Sequence, residues 1–142
     1  MSKPTDRTAE SRELDRGECL RLIAKGVFGR IVFTDAAMPT VQLVSYLLDG
    51  DEIIFRAING SKLAATRHSV VAFQTDEIDP HTHSGWSVVG IGQAYEVTNS
   101  ERLADLAERQ TAAWASAPAA HVIAMPLHRL TGHRLHLDRQ AG

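Results

Sequence analysis

Cysteine is almost lacking in this sequence, since Cys19 is the single one among 142 residues. A lone cysteine excludes an internal disulfide framework and a cysteine-rich zinc site. The chain also has no apolar run near the roughly 18 residues that a membrane helix needs. Residues 1–12 are polar and have no signal-peptide core. We therefore expect a cytoplasmic protein with no membrane partner.

An excess of one charge is lacking as well. The chain has 15 Lys and Arg against 17 Asp and Glu, so its formal net charge is −2. This balance gives no electrostatic reason to bind nucleic acid, and Arg129 and Arg134 do not belong to a basic stripe with interleaved aromatic residues. The 7 histidines include no HExxH or comparable spacing, so we expect no metal site.

The length fits one domain. We expect a flexible N-terminal tail over residues 1–13 and one domain over residues 14–138. The domain begins with a predicted helix from Asp15 to Lys25, in which Asp15 and Glu18 have capping-box spacing. Cys19 falls on the apolar face of this helix, which favours a buried core residue over a nucleophile.

Short segments rich in β-branched and aromatic residues follow, separated by turn residues. This pattern is typical of consecutive antiparallel strands. A second helix is predicted over residues 62–68 with Ser61 as its cap, and a third continues from a cap at Thr98-Asn99-Ser100 to about Trp114. The predicted strands span residues 29–34, 40–48, 52–57, 69–75, 85–98, 121–125 and 129–137, with a polar loop at 77–84. Together these segments favour a mainly β fold, a small antiparallel barrel with peripheral helices.

A basic, hydroxyl-bearing segment follows the third predicted strand. Arg56 lies in the strand, Asn59-Gly60 forms a turn, and Ser61-Lys62 opens the predicted helix. A helix N-terminus offers free N–H groups, to which these side chains add a hydroxyl, an ammonium and a guanidinium, so the segment could hold a phosphate. The alternative is an ordinary hairpin followed by a capped helix with solvated basic residues.

A run of small residues lies in the longest predicted strand. Side chains alternate between the two faces of a strand, so one face would carry Trp86, Val88, Gly90, Gly92 and Ala94. The small residues would let a flat ring or another backbone approach closely. The alternative is that the glycines mark a bulge or barrel corner and that Trp86 belongs to the core or to an interface.

The order of these segments resembles the pyridoxamine 5'-phosphate oxidase-like, FMN-binding split-barrel family, in particular its nitroimidazole-resistance-type branch. The resemblance extends over residues 14–137. It rests on the leading helix and on Gly29–Phe33, Phe55-Arg56, Gly60–Leu63, Ser84–Val88 and Thr131–Arg134.

The resemblance implies a six-stranded antiparallel split β-barrel that forms a homodimer, with FMN in clefts between the subunits. It implies that Arg56, Ser61 and Lys62 contact the flavin phosphate. It further implies that the flavin ring lies along the second strand, where Val44, Ser45 and Tyr46 bind the cofactor. The matching segment Ser84–Val88 also reaches the cofactor, through Trp86 and Ser87.

The function implied by this resemblance is an FMN-dependent oxidoreductase that reduces a small planar substrate, of the nitro or quinone type. No catalytic acid or base is assigned, although His81 and His83 could line the substrate mouth or form a solvated loop. Two alternatives stay open. One is a non-catalytic flavin- or haem-binding module, and the other is a deazaflavin-dependent reductase.

Overall fold

The computed structural model describes residues 10–109 and 120–136. Within these ranges the chain forms nine strands and two helices. The helices are α1 (Arg16–Lys25) and α2 (Ser100–Glu108), and neither is long and apolar enough to cross a membrane. The strands are β1 (Glu10–Leu14), β2 (Phe28–Asp35), β3 (Met38–Asp49), β4 (Glu52–Ile58), β5 (Val70–Asp79), β6 (Ser84–Gln93), β7 (Tyr95–Glu96), β8 (Ala120–Pro126) and β9 (Arg129–His136).

The strands form an antiparallel sheet in the order β1-β9-β6-β5-β2-β3-β4-β8-β7. Only Ala94 separates β6 from β7, so one stretch of chain pairs with β5 and then with β8. The sheet therefore curls into a barrel of six strands, in which β6 and β7 together count as one. β9 and β1 extend the sheet beyond this barrel. The predicted mainly β, antiparallel split-barrel fold is confirmed, but the strand count differs, because the described residues form nine strands rather than six.

Alternation along the strands separates a core from an outer face. The interior of the barrel is filled by fully buried side chains, among them Ile31, Ile53, Phe55, Phe73, Val88, Ile123 and Met125. A second, smaller cluster lies between α2 and the outer side of β4 and β8, and consists of Ile54, Val97, Leu106 and Ala124. Both clusters follow from apolar residues that recur at strand and helix periods.

The first helix agrees with its prediction. The Asp15 side chain accepts a hydrogen bond from the Glu18 N–H at 2.8 Å, and the Glu18 side chain accepts one from the Asp15 N–H at 3.1 Å. Cys19 is fully buried, and this burial raises the pKa of its thiol. Cys19 is therefore the core residue that the helical pattern predicted.

Two predicted irregular segments are strands. Residues 10–13, assigned to the tail, belong to β1, because β9 supplies a pairing partner and Leu14 anchors β1 in the core. The predicted polar loop at 77–84 is largely strand, since β5 continues to Asp79 and β6 begins at Ser84. Backbone pairing between β5 and β6 therefore outweighs the polar side chains of this segment.

Two predicted helices and one predicted strand are shorter than expected. The helix predicted at 62–68 is only a 3-10 turn over Ala64–Thr66, and His68 ends this segment in the left-handed region at φ 80°. The strand predicted at 85–98 breaks at Ala94, whose N–H and carbonyl bond to Ser69 and His68. Within the predicted cap at Thr98-Asn99-Ser100 it is Asn99 that caps α2, but α2 ends at Glu108, and residues 110–114 of its predicted extension lie outside the described ranges.

Candidate functional site

The predicted cofactor residues divide between the two faces of the sheet. Tyr46 pairs with Phe55, and both side chains are buried in the core. Ser45 and Arg56 each lie next to one member of this pair, so both are on the outer face, where they are half-buried. The same alternation places Ser87 on the outer face of β6. Three predicted residues have side chains directed into the core, namely Val44, Tyr46 and Trp86.

Tyr46 connects β3 to the end of α1. Its hydroxyl donates to the Ile23 carbonyl at 2.5 Å, and its ring packs edge-on against Phe73 with the centroids 4.8 Å apart. Burial raises the pKa of Tyr46 to about 12. The Tyr46 N–H donates to the Val27 carbonyl at 3.0 Å. The hydroxyl and the backbone N–H of Tyr46 thus both donate hydrogen bonds within the fold.

Large apolar side chains are exposed on the outer face around Ser45. Ser45 lies opposite Phe28 in the β2–β3 ladder. Phe28 and Leu43 are each 61% exposed, although residues of this kind are usually buried. We call this surface the β3 outer face, and it comprises Phe28, Val41, Leu43, Ser45, Arg56 and Ile58. A group of exposed apolar side chains of this kind, here beside the exposed Arg30 opposite Leu43, indicates an interaction or ligand-binding site.

Ser87 lies at some distance from this surface. Gln74 donates to Ser87 Oγ at 3.4 Å and to Asp76 Oδ2 at 2.6 Å, and it accepts from Arg30 at 3.2 Å. The strands β5 and β2 separate Ser87 on β6 from Ser45 on β3. The structure therefore joins Ser45 with Arg56 but does not bring Ser87 beside them.

The predicted phosphate segment has a different local structure from the one expected. The Asn59-Gly60 turn is present, with Gly60 at φ 81°. Ser61 Oγ accepts a hydrogen bond from the Ala64 N–H at 3.1 Å, as a cap does. Because the turn that it caps has only three residues, there is no extended helix dipole to attract a phosphate, and that part of the argument was wrong.

Lys62 already has an anionic partner. Its Nζ lies 2.9 Å from Asp35 Oδ2, at the end of β2, and the hydrogen bond that it donates to Asp35 raises the pKa of Lys62. The Lys62 side chain is 75% exposed. Lys62 is thus a solvent-exposed cation held next to the tip of the β2–β3 hairpin.

Ser61 also borders a cleft that the sequence analysis missed. The cleft has a volume of about 510 Å³, and its polar side chains are Ser61, Arg67, His68 and His121. We call it the Ser61 cleft. Pairing of β4 with β8 places His121 opposite Ala57 and so brings it to this end of the barrel. No sequence spacing connects Arg67 with His121, because only this ladder makes them neighbours.

One carboxylate joins two residues of the Ser61 cleft. Glu96 accepts from His121 Nδ1 at 2.7 Å and lies 3.5 Å from Arg67 Nε. The hydrogen bond from His121 is the main cause that lowers the pKa of Glu96. Arg67 and His121 are therefore held in fixed orientations by a charged partner.

The small-residue face of β6 is filled by protein. A Cβ at Gly92 would collide with the Pro126 carbonyl oxygen, and one at Gly90 would collide with Leu127. Another backbone, rather than a flat ring, makes the close approach, and Trp86 is a core residue. The close approach of another backbone, which the first interpretation allowed, is therefore present at Gly92, and Trp86 is in the core, as the alternative predicted.

The two loop histidines lie in the turn between β5 and β6. The His81 N–H donates to Asp79 Oδ1 at 2.8 Å, and the His83 N–H donates to the Asp79 carbonyl at 2.8 Å. His81 is exposed and His83 is half-buried. Their role at a substrate mouth stays a prediction.

Comparison with known proteins gives consistent matches. The family model for pyridoxamine 5'-phosphate oxidase matches residues 15–134. An uncharacterized protein of Mycobacterium tuberculosis is 37% identical over 132 residues, which cover 89% of this chain and 86% of the relative. The structure of the FAD binding protein from Mycobacterium smegmatis is 27% identical, with a TM-score of 0.74 over 87% of this chain and 97% of that one.

A more distant structure has the same fold. The FAD and heme binding protein from Mycobacterium smegmatis is 13% identical, with a TM-score of 0.67 over 90% of this chain and 74% of that one. The family model alone extends over most of the chain, and the 37% identical relative is matched along nearly its full length. This chain belongs to the pyridoxamine 5'-phosphate oxidase family.

Proposed function

We propose that this protein binds a flavin on the β3 outer face. The observation that carries the proposal is the exposed apolar surface around Ser45 and Arg56, which adjoins the Ser61-Lys62 turn at the end of β4. The relative that is 27% identical is named as an FAD binding protein, which supports a flavin as the ligand.

The residues present fit the chemistry of riboflavin 5'-phosphate, the part that FMN and FAD share. Its flat ring needs an apolar surface, which Leu43 and Phe28 offer. Its phosphate needs cationic and hydroxyl donors, which Arg56, Lys62 and Ser61 carry. The pair between Lys62 and Asp35 is exposed, and such pairs contribute little to stability, so a phosphate can replace Asp35 there.

We further propose that two copies of the chain form a homodimer around this site. A flavin on an open sheet face would have one side in water, which weakens its binding and lets solvent reach the reactive ring. A second copy would cover both the ring and the exposed side chains of Phe28, Val41 and Leu43.

The reaction that we propose is reduction of a small planar nitro compound or quinone. A bound flavin supplies the hydride chemistry. The protein binds and orients the flavin and limits the access of water. The apolar side chains of the β3 outer face favour a flat, uncharged substrate next to the ring. We assign no acid or base among the side chains.

The first test is a visible absorption spectrum of the purified protein. It is incubated separately with FMN, FAD and riboflavin, and free ligand is removed. We expect an equimolar amount of FMN or FAD to stay bound, and little riboflavin, because riboflavin has no phosphate. A colourless protein in all three samples would contradict the proposed flavin site, and haem and deazaflavin titrations would follow.

The second test asks whether the loaded protein is an enzyme. The flavin is reduced by NADH or NADPH, and its reoxidation by a panel of nitro compounds and quinones is followed by absorbance. Turnover with members of this panel is the expected result. Flavin that stays bound but exchanges no electrons with any donor or acceptor would favour the non-catalytic module instead.

A further inference from the structure

Three side chains of the Ser61 cleft are held by contacts within the protein and still have a polar atom that can bind a ligand. Arg67 uses Nε for Glu96 and Nη1 for the Ala64 carbonyl at 2.8 Å. Within residues 10–109 and 120–136, the remaining Nη2 of Arg67 has no partner. The Ser61 hydroxyl accepts from the Ala64 N–H, so its own hydrogen stays available.

The third side chain is His121. Its Nδ1 faces the Glu96 carboxylate at 2.7 Å, and an ionised carboxylate only accepts hydrogen bonds. Nδ1 therefore carries a hydrogen, and Nε2 is the nitrogen left for a ligand, to which it donates when the ring is the imidazolium, since both nitrogens are then donors. Glu96 contacts both of these side chains, His121 and Arg67, but is not among the residues that line the cleft.

The cleft suits an oxyanion together with a larger group. A guanidinium nitrogen, an imidazolium nitrogen and a hydroxyl are donors that bind phosphate oxygens. The volume of about 510 Å³ falls within the roughly 300–1,000 Å³ of small-molecule sites and exceeds what one phosphate fills.

Ser61 lies between two separate basic groups. Lys62 follows it in sequence, pairs with Asp35 and is not among the residues that line the cleft. Arg67 and His121 are in the cleft. Two adjacent anion-binding groups match a diphosphate better than a single phosphate, because each phosphate then has its own donors.

We propose that the Ser61 cleft binds the second phosphate of FAD through Arg67, His121 and Ser61. This inference rests on the proposed flavin function, in which Lys62, Arg56 and Ser61 contact the phosphate that FMN also has, so the Ser61 hydroxyl lies between the two phosphates. It makes FAD the preferred cofactor and assigns that preference to residues of the cleft.

The test compares FAD and FMN affinities by fluorescence titration of the full-length chain. Wild type should bind FAD more tightly than FMN. Arg67→Gln and, separately, His121→Gln should each weaken FAD binding by about 10-fold or more, the effect of losing one charge-assisted hydrogen bond, and leave FMN binding unchanged. Lys62→Ala should weaken both flavins. Arg129→Gln, at an exposed arginine of β9, is the matched control and should change neither affinity.

A second measurement is independent of the flavin ring. Inorganic pyrophosphate is titrated into wild type and the Arg67→Gln and His121→Gln variants by calorimetry, with circular dichroism and thermal unfolding to confirm that each variant is folded. Pyrophosphate binding that is lost in either folded variant supports the cleft, even if no flavin binds and the proposed function fails.

Two results would overturn the inference. One is a failure to detect the cleft by binding: either the affinities for FAD and pyrophosphate are unchanged in both variants, or wild type binds neither FAD nor pyrophosphate. The other is an equal loss of FMN and FAD affinity, because this would place the flavin's own phosphate in the cleft.

Discussion

Gly92 lies where β6 passes the end of β8. Its missing side chain leaves room for the Pro126 carbonyl oxygen, which a Cβ would meet. The obstacle is backbone and cannot rotate away, so the strands would have to move apart. We expect Gly92→Ala to lower the free energy of unfolding by about 1–3 kcal/mol, as overpacking does.

The measurement is chemical denaturation of wild type and Gly92→Ala. Gly17→Ala is the control, because the nearest atoms to a Cβ at Gly17 are at ordinary contact distance, at 3.5 Å or more. In a helix, this control should be neutral or stabilising. Equal stability of wild type and Gly92→Ala would show that β6 and β8 can separate at no cost.

Lys62 and Asp35 form the second residue-scale case. Lys62→Ala removes a cation from the proposed phosphate contact, so the FMN affinity should fall several-fold, by roughly the contribution of one charge-assisted hydrogen bond. Asp35→Asn removes the competing carboxylate, so the FMN affinity should rise. Both effects are read by titration of the apoprotein.

Riboflavin and Lys25→Ala are the controls for these variants. Riboflavin has no phosphate, so neither substitution should change its affinity. Lys25, at the end of α1, is an exposed lysine outside the site, so its loss should leave the FMN affinity as it was. An FMN affinity unaffected by Lys62→Ala would contradict the role of Lys62.

At this scale the sequence identified residues whose spacing is local. Ser61 and Lys62 adjoin a turn that Asn59-Gly60 announces. Arg67 and His121 were missed, because they meet only through the β4–β8 ladder and through Glu96. Strand alternation predicts that the side chains of Tyr46 and Ser45 lie on opposite faces of the sheet, but it does not show which face is inside. Only the burial of Tyr46 in the structure shows that its face is the inner one.

At the scale of elements, α2 is attached to the β3–β4 hairpin by arginines. Arg102 contacts Asp49 Oδ2 at 3.0 Å and Glu52 Oε1 at 2.8 Å, and it also donates to the Tyr95 hydroxyl at 2.6 Å. Arg109 contacts Asp49 Oδ1 at 3.0 Å. These bonds supplement the small apolar cluster under α2 and fix the position of the helix.

Asp49 makes this attachment sensitive to acid. Burial alone would raise its pKa, but hydrogen bonds from Arg109 and Arg102 outweigh burial and lower it. A carboxyl with a lowered pKa in the folded state stabilises the fold above its unfolded pKa and loses that contribution as the pH falls through its folded pKa. The stability difference between wild type and Asp49→Asn should therefore be largest near neutral pH and shrink below the ordinary aspartate value of 3.8.

Thermal unfolding of wild type and Asp49→Asn across this pH range measures the difference. Asp105→Asn is the control, because Asp105 is 64% exposed and lies 3.9 Å from Arg109. Its substitution should change stability little at any pH. A wild type to Asp49→Asn difference that stays constant with pH would remove the electrostatic explanation.

Element prediction succeeded where pattern and pairing agree. α1 has both an apolar face and a capping box, and β2 to β4 have hairpin turns between them. It failed for β1, whose polar residues become a strand only because β9 offers a partner. Helix prediction also failed for residues 62–68, because this segment is too short to form more than one helical turn.

At the scale of the whole molecule, the β3 outer face should hold two chains together. Leu43→Asp places a charge in the centre of this apolar surface, where it would have to be desolvated on association. We expect wild type to be a dimer by light scattering and Leu43→Asp to be a monomer with weaker flavin binding. Leu43 is 61% exposed, so the fold itself should be retained.

Ala104→Asp, at an exposed position of α2, introduces the same charge outside the surface and is the control. It should leave the dimer and the flavin affinity intact. A wild-type monomer at micromolar concentration would refute the proposed interface.

The order of segments along the chain was enough to predict the barrel, because consecutive antiparallel strands have few arrangements. The sequence could not show which part of the outer face is exposed, since that depends on how the sheet curls. Nor could it show the Ser61 cleft, which forms where the end of β4, the 3-10 turn and β8 meet.

Ala94, between β6 and β7, has a consequence for assembly of the fold. The strand that pairs with β5 and the strand that pairs with β8 are joined there by peptide bonds. The chain itself therefore fixes the alignment of the β5 and β8 sides of the barrel, and folding does not have to bring two distant strands into register. A circular permutant with Glu10 and His136 joined by a linker and the chain opened at Ala94 could keep every strand pair and still lose this constraint. Such a permutant should fold more slowly, and hydrogen exchange should be fastest at the backbone amides next to the opened junction of β6 and β7.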